Sequence, residues 1–344
     1  MRRLLVPVSA VLLLWLGCAT HAFARPVTDS AGRVVEVPDR VVRVFAAGPP
    51  ASTLLYVVAP DKMIGWVRAP RTEEKPFLLP ATRHLPELGR LTGRGNTLSL
   101  ERLLAEKPDL IIDFGTLNDT YRSLADRVQA QTGIPYLLID GRFANTPAAL
   151  RLLGRVLGVE ARGEALAQEA ERIFAAVDAT LANIPSAERP KVYLARGPDG
   201  FESGTRGSIN TEMIERVGAI NPVEGLRESG GLVRVGAERL LVFAPDAIVT
   251  LDAALRDSLA TRPPWSELAA VKAGRIFVAP ALPFGFIDSP PSANRLIGLS
   301  WLMHKLYPGK VAGDLRAEVA AFYRLFYQVE IDGAALDRLL GGTP

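Results

Sequence analysis

A twelve-residue pattern in the first half of the chain returns in the second half with its spacing intact. Glu101-Arg102-Leu103-Leu104-Ala105-Glu106-Lys107-Pro108-Asp109-Leu110-Ile111-Ile112 matches Glu238-Arg239-Leu240-Leu241-Val242-Phe243-Ala244-Pro245-Asp246-Ala247-Ile248-Val249 in Glu, Arg, Leu, Leu, Pro and Asp. Each copy reads as a short helix stopped by proline, a turn on Pro-Asp and an apolar strand, because proline cannot continue a helix and aspartate bonds its own turn. An apolar strand of this kind needs a sheet covered on both faces, so one copy per half calls for one sheet per half. The length agrees, since 344 residues exceed the roughly 250 to 300 at which a single core stops growing.

The first 24 residues stand apart from both halves. Met1-Arg2-Arg3 is a positive start, residues 4–16 are apolar but for Pro7 and Ser9, and Ala22-Phe23-Ala24 is a small-x-small cleavage site. This is the pattern of a secretory signal peptide, with an apolar run shorter than the ~20 residues a membrane span needs. Cleavage is expected after Ala24; the alternative is a lipid anchor at Cys18, because Leu16-Gly17-Cys18 partly matches a lipoprotein processing site. Cleavage after Ala24 removes the chain's single cysteine, so the exported protein has no disulfide and is held by burial alone. It also removes Arg2 and Arg3 but no acid, leaving 38 basic against 37 acidic side chains and giving no electrostatic case for nucleic acid as a partner.

Along the mature chain, residues 27–38 place a turn cluster between β-branched residues and read as a hairpin. Strands are predicted at 41–45, 63–67, 110–113 and 136–139, with helices at 51–58, 100–105 and 121–132. From Pro147 to about residue 183 the pattern is helical, with Thr146 as cap, a break at 158–163 and a second helix over 164–183. Strand and helix then alternate again through 192–195, 209–217, 237–242, 247–251 and 276–278. Helices at 292–306, 312–327 and 333–340 close the chain. The fold class is α/β, with a lobe at 25–146, a helical connection with a bridging helix at 147–186, and a second lobe at 187–344.

The chain resembles the extracytoplasmic substrate-binding proteins of ABC importers for iron complexes and cobalamin. The matching residues are Thr28-Asp29-Ser30-Ala31-Gly32-Arg33-Val34-Val35-Glu36-Val37-Pro38 with Arg43-Val44, and Leu100-Glu101-Arg102-Leu103 running to Pro108-Asp109-Leu110-Ile111-Ile112. The segment Ser289-Pro290-Pro291-Ser292-Ala293-Asn294-Arg295-Leu296-Ile297-Gly298-Leu299-Ser300-Trp301-Leu302 is similar to a subgroup with haem, iron-chelate or molybdate and tungstate receptors. The resemblance implies two lobes with parallel sheets, a single long bridging helix, a ligand cleft between the lobes and little hinge motion. It implies a periplasmic, monomeric receptor for a small-molecule metal complex or oxyanion, served by an ABC permease and its ATPase in the inner membrane. It also implies that Glu101 and Glu238 dock onto the permease.

Ligands of open α/β sheets sit outside the carboxyl ends of the strands. The loops in that position supply the candidate ligand-binding residues Pro49, Arg68, Gly93, Gly115, Thr116, Arg196, Phe201, Glu202, Arg206, Phe284 and Phe286, with Arg71 and Arg94 as further guanidinium groups suited to anions. A bare transition-metal site is not expected, because the mature chain has only His84 and His304 and no cysteine. No cofactor is called for. Two other classes compete with transport: a secreted α/β enzyme, against which stand the missing Gly-x-Ser-x-Gly, phosphate-loop and His-Glu-x-x-His motifs, and a ligand-sensing receptor.

Overall fold

A computed structural model describes residues 24–93, 95–223 and 231–341. The segment expected to be an export signal, apart from Ala24, lies outside the described residues together with Cys18 and Arg94. The chain begins with an antiparallel hairpin of β1 (Ala24–Thr28) and β2 (Val34–Pro38), with Val27 opposite Val35. Its turn is held by the Asp29 carboxylate, which accepts the N–H groups of Ala31 and Arg33 at 2.9 Å each. The first lobe then follows as β3 (Val44–Ala46), α1 (Pro49–Val58), α2 (Leu100–Ala105), β4 (Leu110–Gly115), α3 (Asp119–Thr132) and β5 (Tyr136–Asp140). Its parallel sheet runs β3-β4-β5.

Two helices connect the lobes, α4 (Thr146–Val156) and α5 (Glu160–Leu181); at 1.5 Å per residue the 22 residues of α5 reach about 33 Å. The second lobe contains β6 (Val192–Ala195), β7 (Glu202–Gly204), α6 (Glu212–Arg216), β8 (Leu232–Arg234), α7 (Ala237–Phe243), β9 (Ala247–Thr250), α8 (Ala253–Leu259), α9 (Ala269–Lys272) and β10 (Ile276–Val278). Its parallel sheet runs β6-β9-β10, the same order as the first. After it come α10 (Arg295–Leu306), α11 (Leu315–Phe322) and α12 (Gly333–Leu340).

The repeated unit is equivalent in three dimensions, residue by residue. Leu103 and Leu240 are fully buried beneath α2 and α7. Lys107 and Ala244 both end their helices with a left-handed backbone, at φ 48° and 41°. Asp109 accepts the backbone N–H of Val42 and Arg43 at 2.8 Å, and Asp246 accepts that of Lys191 at 2.7 Å, so each Pro-Asp turn pins the entry to the neighbouring strand. One apolar core runs through both lobes: Val44, Leu110 and Leu137 of the first sheet join Leu150 and Ala170 of the connecting helices and Leu194 and Val249 of the second sheet.

Several predicted elements change. The strand expected at 63–67 reduces to single parallel bridges from Met63 to Val44 and from Trp66 to Glu87; between them Gly65 passes so close to the 86–88 segment that an added Cβ would stand 2.7 Å from the Pro86 carbonyl oxygen. The break expected at 158–163 is confined to 157–159. Gly158 does end α4, at φ 67°, but Gly163 lies inside α5 and faces Gly154 of α4 so closely that a Cβ on Gly163 would meet the Gly154 Cα at 2.9 Å. That glycine pair is a helix contact and not a helix stop. Thr146 is the first helical residue and Asn145 holds the cap position; Thr146 instead donates its hydroxyl to the Phe143 carbonyl at 2.7 Å. Helix α6 is shorter than the predicted 209–217 because Thr205, Ser208 and Thr211 spend their backbone groups in turns. The antiparallel pair of β7 and β8, which are separated in sequence by α6, was not expected; its strands have three residues each, too few for an alternation to register.

Candidate functional site

Strands β3 and β4 end at a cavity of about 110 Å³ between the lobes. Gly48 opens α1 there, with prolines at its first positions, and its missing Cβ leaves room for Thr92, whose Oγ1 would lie 2.5 Å from that atom. From the first lobe the walls include Pro49, Gly93, Gly115, Thr116 and Tyr121; Ile209 and Pro291 close the cavity from the second. Gly115 has open space where a side chain would stand, and Gly141 packs against its backbone so tightly that a Cβ there would lie 2.6 Å from the Gly115 Cα. The walls are mainly apolar; among them the backbone N–H groups of Gly93, Thr116 and Leu117 and the hydroxyls of Thr116 and Tyr121 make no hydrogen bond to the described residues and are neutral donors available beside the Asp113 carboxylate.

One ionisable wall residue is Asp113, buried on β4. Thr92 donates its hydroxyl to Oδ1 at 3.1 Å and Tyr136 donates to Oδ2 at 3.3 Å. Burial pushes this carboxyl up to about 6 against those donors. Tyr136 and Tyr121 are in turn raised, first by burial and then by the charge of Asp113, so both stay neutral hydroxyl donors.

The base of the cleft is locked by Arg295, fully buried at the start of α10. Its guanidinium donates to the carbonyls of Gly141 in the first lobe at 2.9 Å and Ile209 in the second at 2.7 Å, and to Glu212 Oε2 at 3.2 Å. The same carboxylate accepts the Phe143 N–H at 2.8 Å, and the guanidinium lies 4.7 Å above the Phe143 ring. Burial lowers Arg295 to about 10 and raises Glu212, each partly offset by the other's charge. Ser292 adds a further tie across the cleft, donating to the Pro50 carbonyl at 2.8 Å.

Four of the sequence-predicted contacts meet at the cavity: Pro49, Gly93, Gly115 and Thr116. The others lie elsewhere. Arg68 is paired with the buried Glu74 at 2.8 Å, and Arg71 shares that carboxylate. Arg196 is paired with Asp288, and with Glu202 at 3.4 Å. Arg206 is exposed. The Phe201 ring packs 5.1 Å from Trp265 in the second lobe, Phe284 sits among Tyr56, Trp66 and Tyr327, and Phe286 is fully buried. Asp113, Thr92, Tyr121, Ile209 and Pro291 were not singled out from the sequence. Of these only Asp113 carries a readable signal, an acid inside an otherwise apolar strand. Glu101 and Glu238 are exposed and form no ion pair among the described residues. Also among the described residues, no three His, Cys, Asp or Glu side chains gather into a metal-holding group, and no helix is long and apolar enough to cross a membrane.

Two parallel sheets of like order, tied by a long helix and closing on a small cavity, define a two-lobed solute receptor. The chain matches the periplasmic binding protein family over residues 54–282, about two thirds of its length, and belongs to that family. A solute-binding protein of an ABC transporter from Sulfurospirillum deleyianum is 29% identical, with a TM-score of 0.83 over 92% of this chain and 99% of its own. An ABC transporter substrate-binding lipoprotein of Bacillus subtilis is 23% identical over 298 residues, 84% of this chain and 87% of the relative. A molybdate periplasmic binding protein of Haemophilus influenzae, solved with molybdate, shares the fold at a TM-score of 0.73 and 21% identity, covering 90% of this chain and 99% of its own. The protein is therefore an extracytoplasmic substrate-binding protein of an ABC transporter and not an enzyme.

Proposed function

We propose that this receptor captures a compact metal oxyanion of the molybdate or tungstate type and delivers it to an inner-membrane ABC permease. The observation that supports this choice is size. A cavity of about 110 Å³ suits a few heavy atoms, whereas pockets for drug-sized ligands run to about 300–1,000 Å³, and haem, cobalamin and ferric siderophores are at least that large. The cavity's neutral N–H and hydroxyl donors match oxygen acceptors, and the molybdate-bound structural relative points the same way. Candidate contacts are Pro49, Gly93, Gly115 and Thr116, with Tyr121 as a further donor. Arg295 and Ser292 hold the lobes at a fixed spacing, so capture proceeds with little hinge motion.

In the same proposal the protein acts as a monomer, and Glu101 and Glu238, one per lobe, meet basic residues of the permease as rim charges that set register and association rate. Export follows cleavage after Ala24. Anchoring at Cys18 is the second reading, favoured by the lipoprotein character of the Bacillus subtilis relative; the mass of the exported chain separates the two. The ligand is tested by thermal shift. A ligand at 100 times its Kd adds about 2.7 kcal/mol, which at about 2 °C per kcal/mol for a chain of this size raises the melting temperature by about 5 °C. Molybdate and tungstate are expected to give that rise. A rise with haem, cobalamin or a ferric siderophore and none with either oxyanion overturns the proposal.

A further inference from the structure

We infer that the two copies of the repeated helix form a matched pair of apolar docking anchors for the permease, with Leu104 on one lobe and Leu241 with Val242 on the other. The inference rests on the docking function proposed above and adds to it the contacts that would hold the complex once the glutamates have steered it. Six large hydrophobic side chains are exposed among the described residues, and three of them are these: Leu104 at 45%, Leu241 at 38% and Val242 at 80%. A single exposed leucine needs no explanation. Here the exposure recurs at the same repeat position on both lobes, one residue after a fully buried leucine and three after an exposed glutamate with no ion partner among the described residues.

The topology places both patches at corresponding points of the molecule. Helices α2 and α7 each lead into the amino end of a central strand, β4 and β9, through the same Pro-Asp turn. Each helix therefore reaches its sheet by the same route, and its exposed residues occupy the same place in each lobe relative to the central strand. Glu101 and Glu238 both stand in the first turn of their helices, with the leucines three residues further on. Two equivalent patches of this kind match a partner with two equivalent surfaces, each offering a cation and an apolar socket. An integral membrane permease built of two like halves fits that description. Apolar contacts buried at the centre of an interface slow dissociation, while rim charges mainly set the association rate and its salt dependence.

The test measures binding of the full mature chain to its cognate permease–ATPase complex in nanodiscs by surface plasmon resonance, at low and high salt. The variants are L104Q, L241Q/V242Q, E101Q/E238Q and, as a control, V34S at the exposed hairpin residue Val34. Glutamine keeps the helix, and the exposed positions leave the core intact, so all four are expected to melt like the wild type. The two leucine-site variants are expected to lose at least tenfold in affinity at both salt concentrations through faster dissociation, with V34S unchanged. Binding of both within twofold of the wild type overturns the anchors, as does an equal loss in V34S. The glutamate variant distinguishes the levels: if it alone weakens binding, docking stands and the anchors fall, and if none of the variants weakens binding, the docking function falls too.

Discussion

Replacing Asp113 with asparagine is expected to make this protein more stable at neutral pH. The carboxyl is buried and its pKa is lifted from 3.8 to about 6 even though Thr92 and Tyr136 donate to it. A shift of about two units at 1.36 kcal/mol each corresponds to about 3 kcal/mol. The sign follows from proton uptake: the folded state holds the proton more tightly than the unfolded one, so this group's contribution falls as the pH rises from about 4 to 6 and stays low above that. Asparagine removes the charge and keeps an oxygen for the two hydroxyl donors, but its amide brings N–H groups that need acceptors. The net gain at pH 7.5 is therefore about 1–3 kcal/mol. Urea unfolding of both proteins between pH 4 and 7.5 measures it, and the gap is expected to close by about 2 kcal/mol toward pH 4. Neighbouring Tyr121 and Tyr136 do not titrate in this window, since burial and the Asp113 charge raise both. A variant less stable than the wild type at pH 7.5, or a gap independent of pH, would refute the assignment of a strained buried charge. Because the carboxylate borders the cavity, the same substitution is expected to tighten oxyanion binding at pH 7.5.

Three further substitutions probe the frame around the cavity. R295M leaves Glu212 without its cation at the junction of the lobes; losing one partner of a buried pair costs about 3–5 kcal/mol, and the 18% exposure of the Glu212 side chain puts the expected loss near 3, with a urea-derived loss below about 1 refuting the tie. G163A sets a helix-propensity gain of about 1 kcal/mol against a Cβ 2.8 Å from the Leu150 carbonyl and 2.9 Å from the Gly154 Cα; since overpacking costs about 1–3 kcal/mol, a lower melting temperature is expected and a higher one would show that the α4–α5 contact yields. A Cβ at Gly115 meets no protein atom within 4 Å, so for G115V calorimetry is expected to show at least a hundredfold loss of ligand affinity with little change in melting temperature, and retained affinity would move the ligand elsewhere.

The two-lobed α/β architecture was legible because the repeated unit carries its own physics. Proline stops each helix, aspartate pins each turn and the following strand is apolar, so the equivalence of β4 and β9 is readable from the residues alone. The hairpin around Gly32 was legible for the same local reason. What the sequence left open depends on neighbours far along the chain. Gly158 and Gly163 look alike in sequence, yet one is a left-handed helix end and the other is where α4 and α5 touch. Arg196 and Arg68 look like anion ligands until Asp288 and Glu74 are found beside them. Arg295 sits in an apolar helical run that gives no hint of carbonyls from both lobes converging on it. Phe284 and Phe286 fall in a loop suited to ligands, but one joins an aromatic cluster and the other a core. Pro49 and Gly115-Thr116 were easier to place because they lie at or just after the ends of β3 and β4.

The identity of the cargo rests on one direct measurement, calorimetric titration of the purified mature chain with molybdate and tungstate at pH 7.5. Saturable binding of one oxyanion per chain, lost in G115V, is the expected result. No heat with either oxyanion, together with one-to-one binding of haem, cobalamin or a ferric siderophore, would contradict the central claim that this cleft is built for a compact ligand.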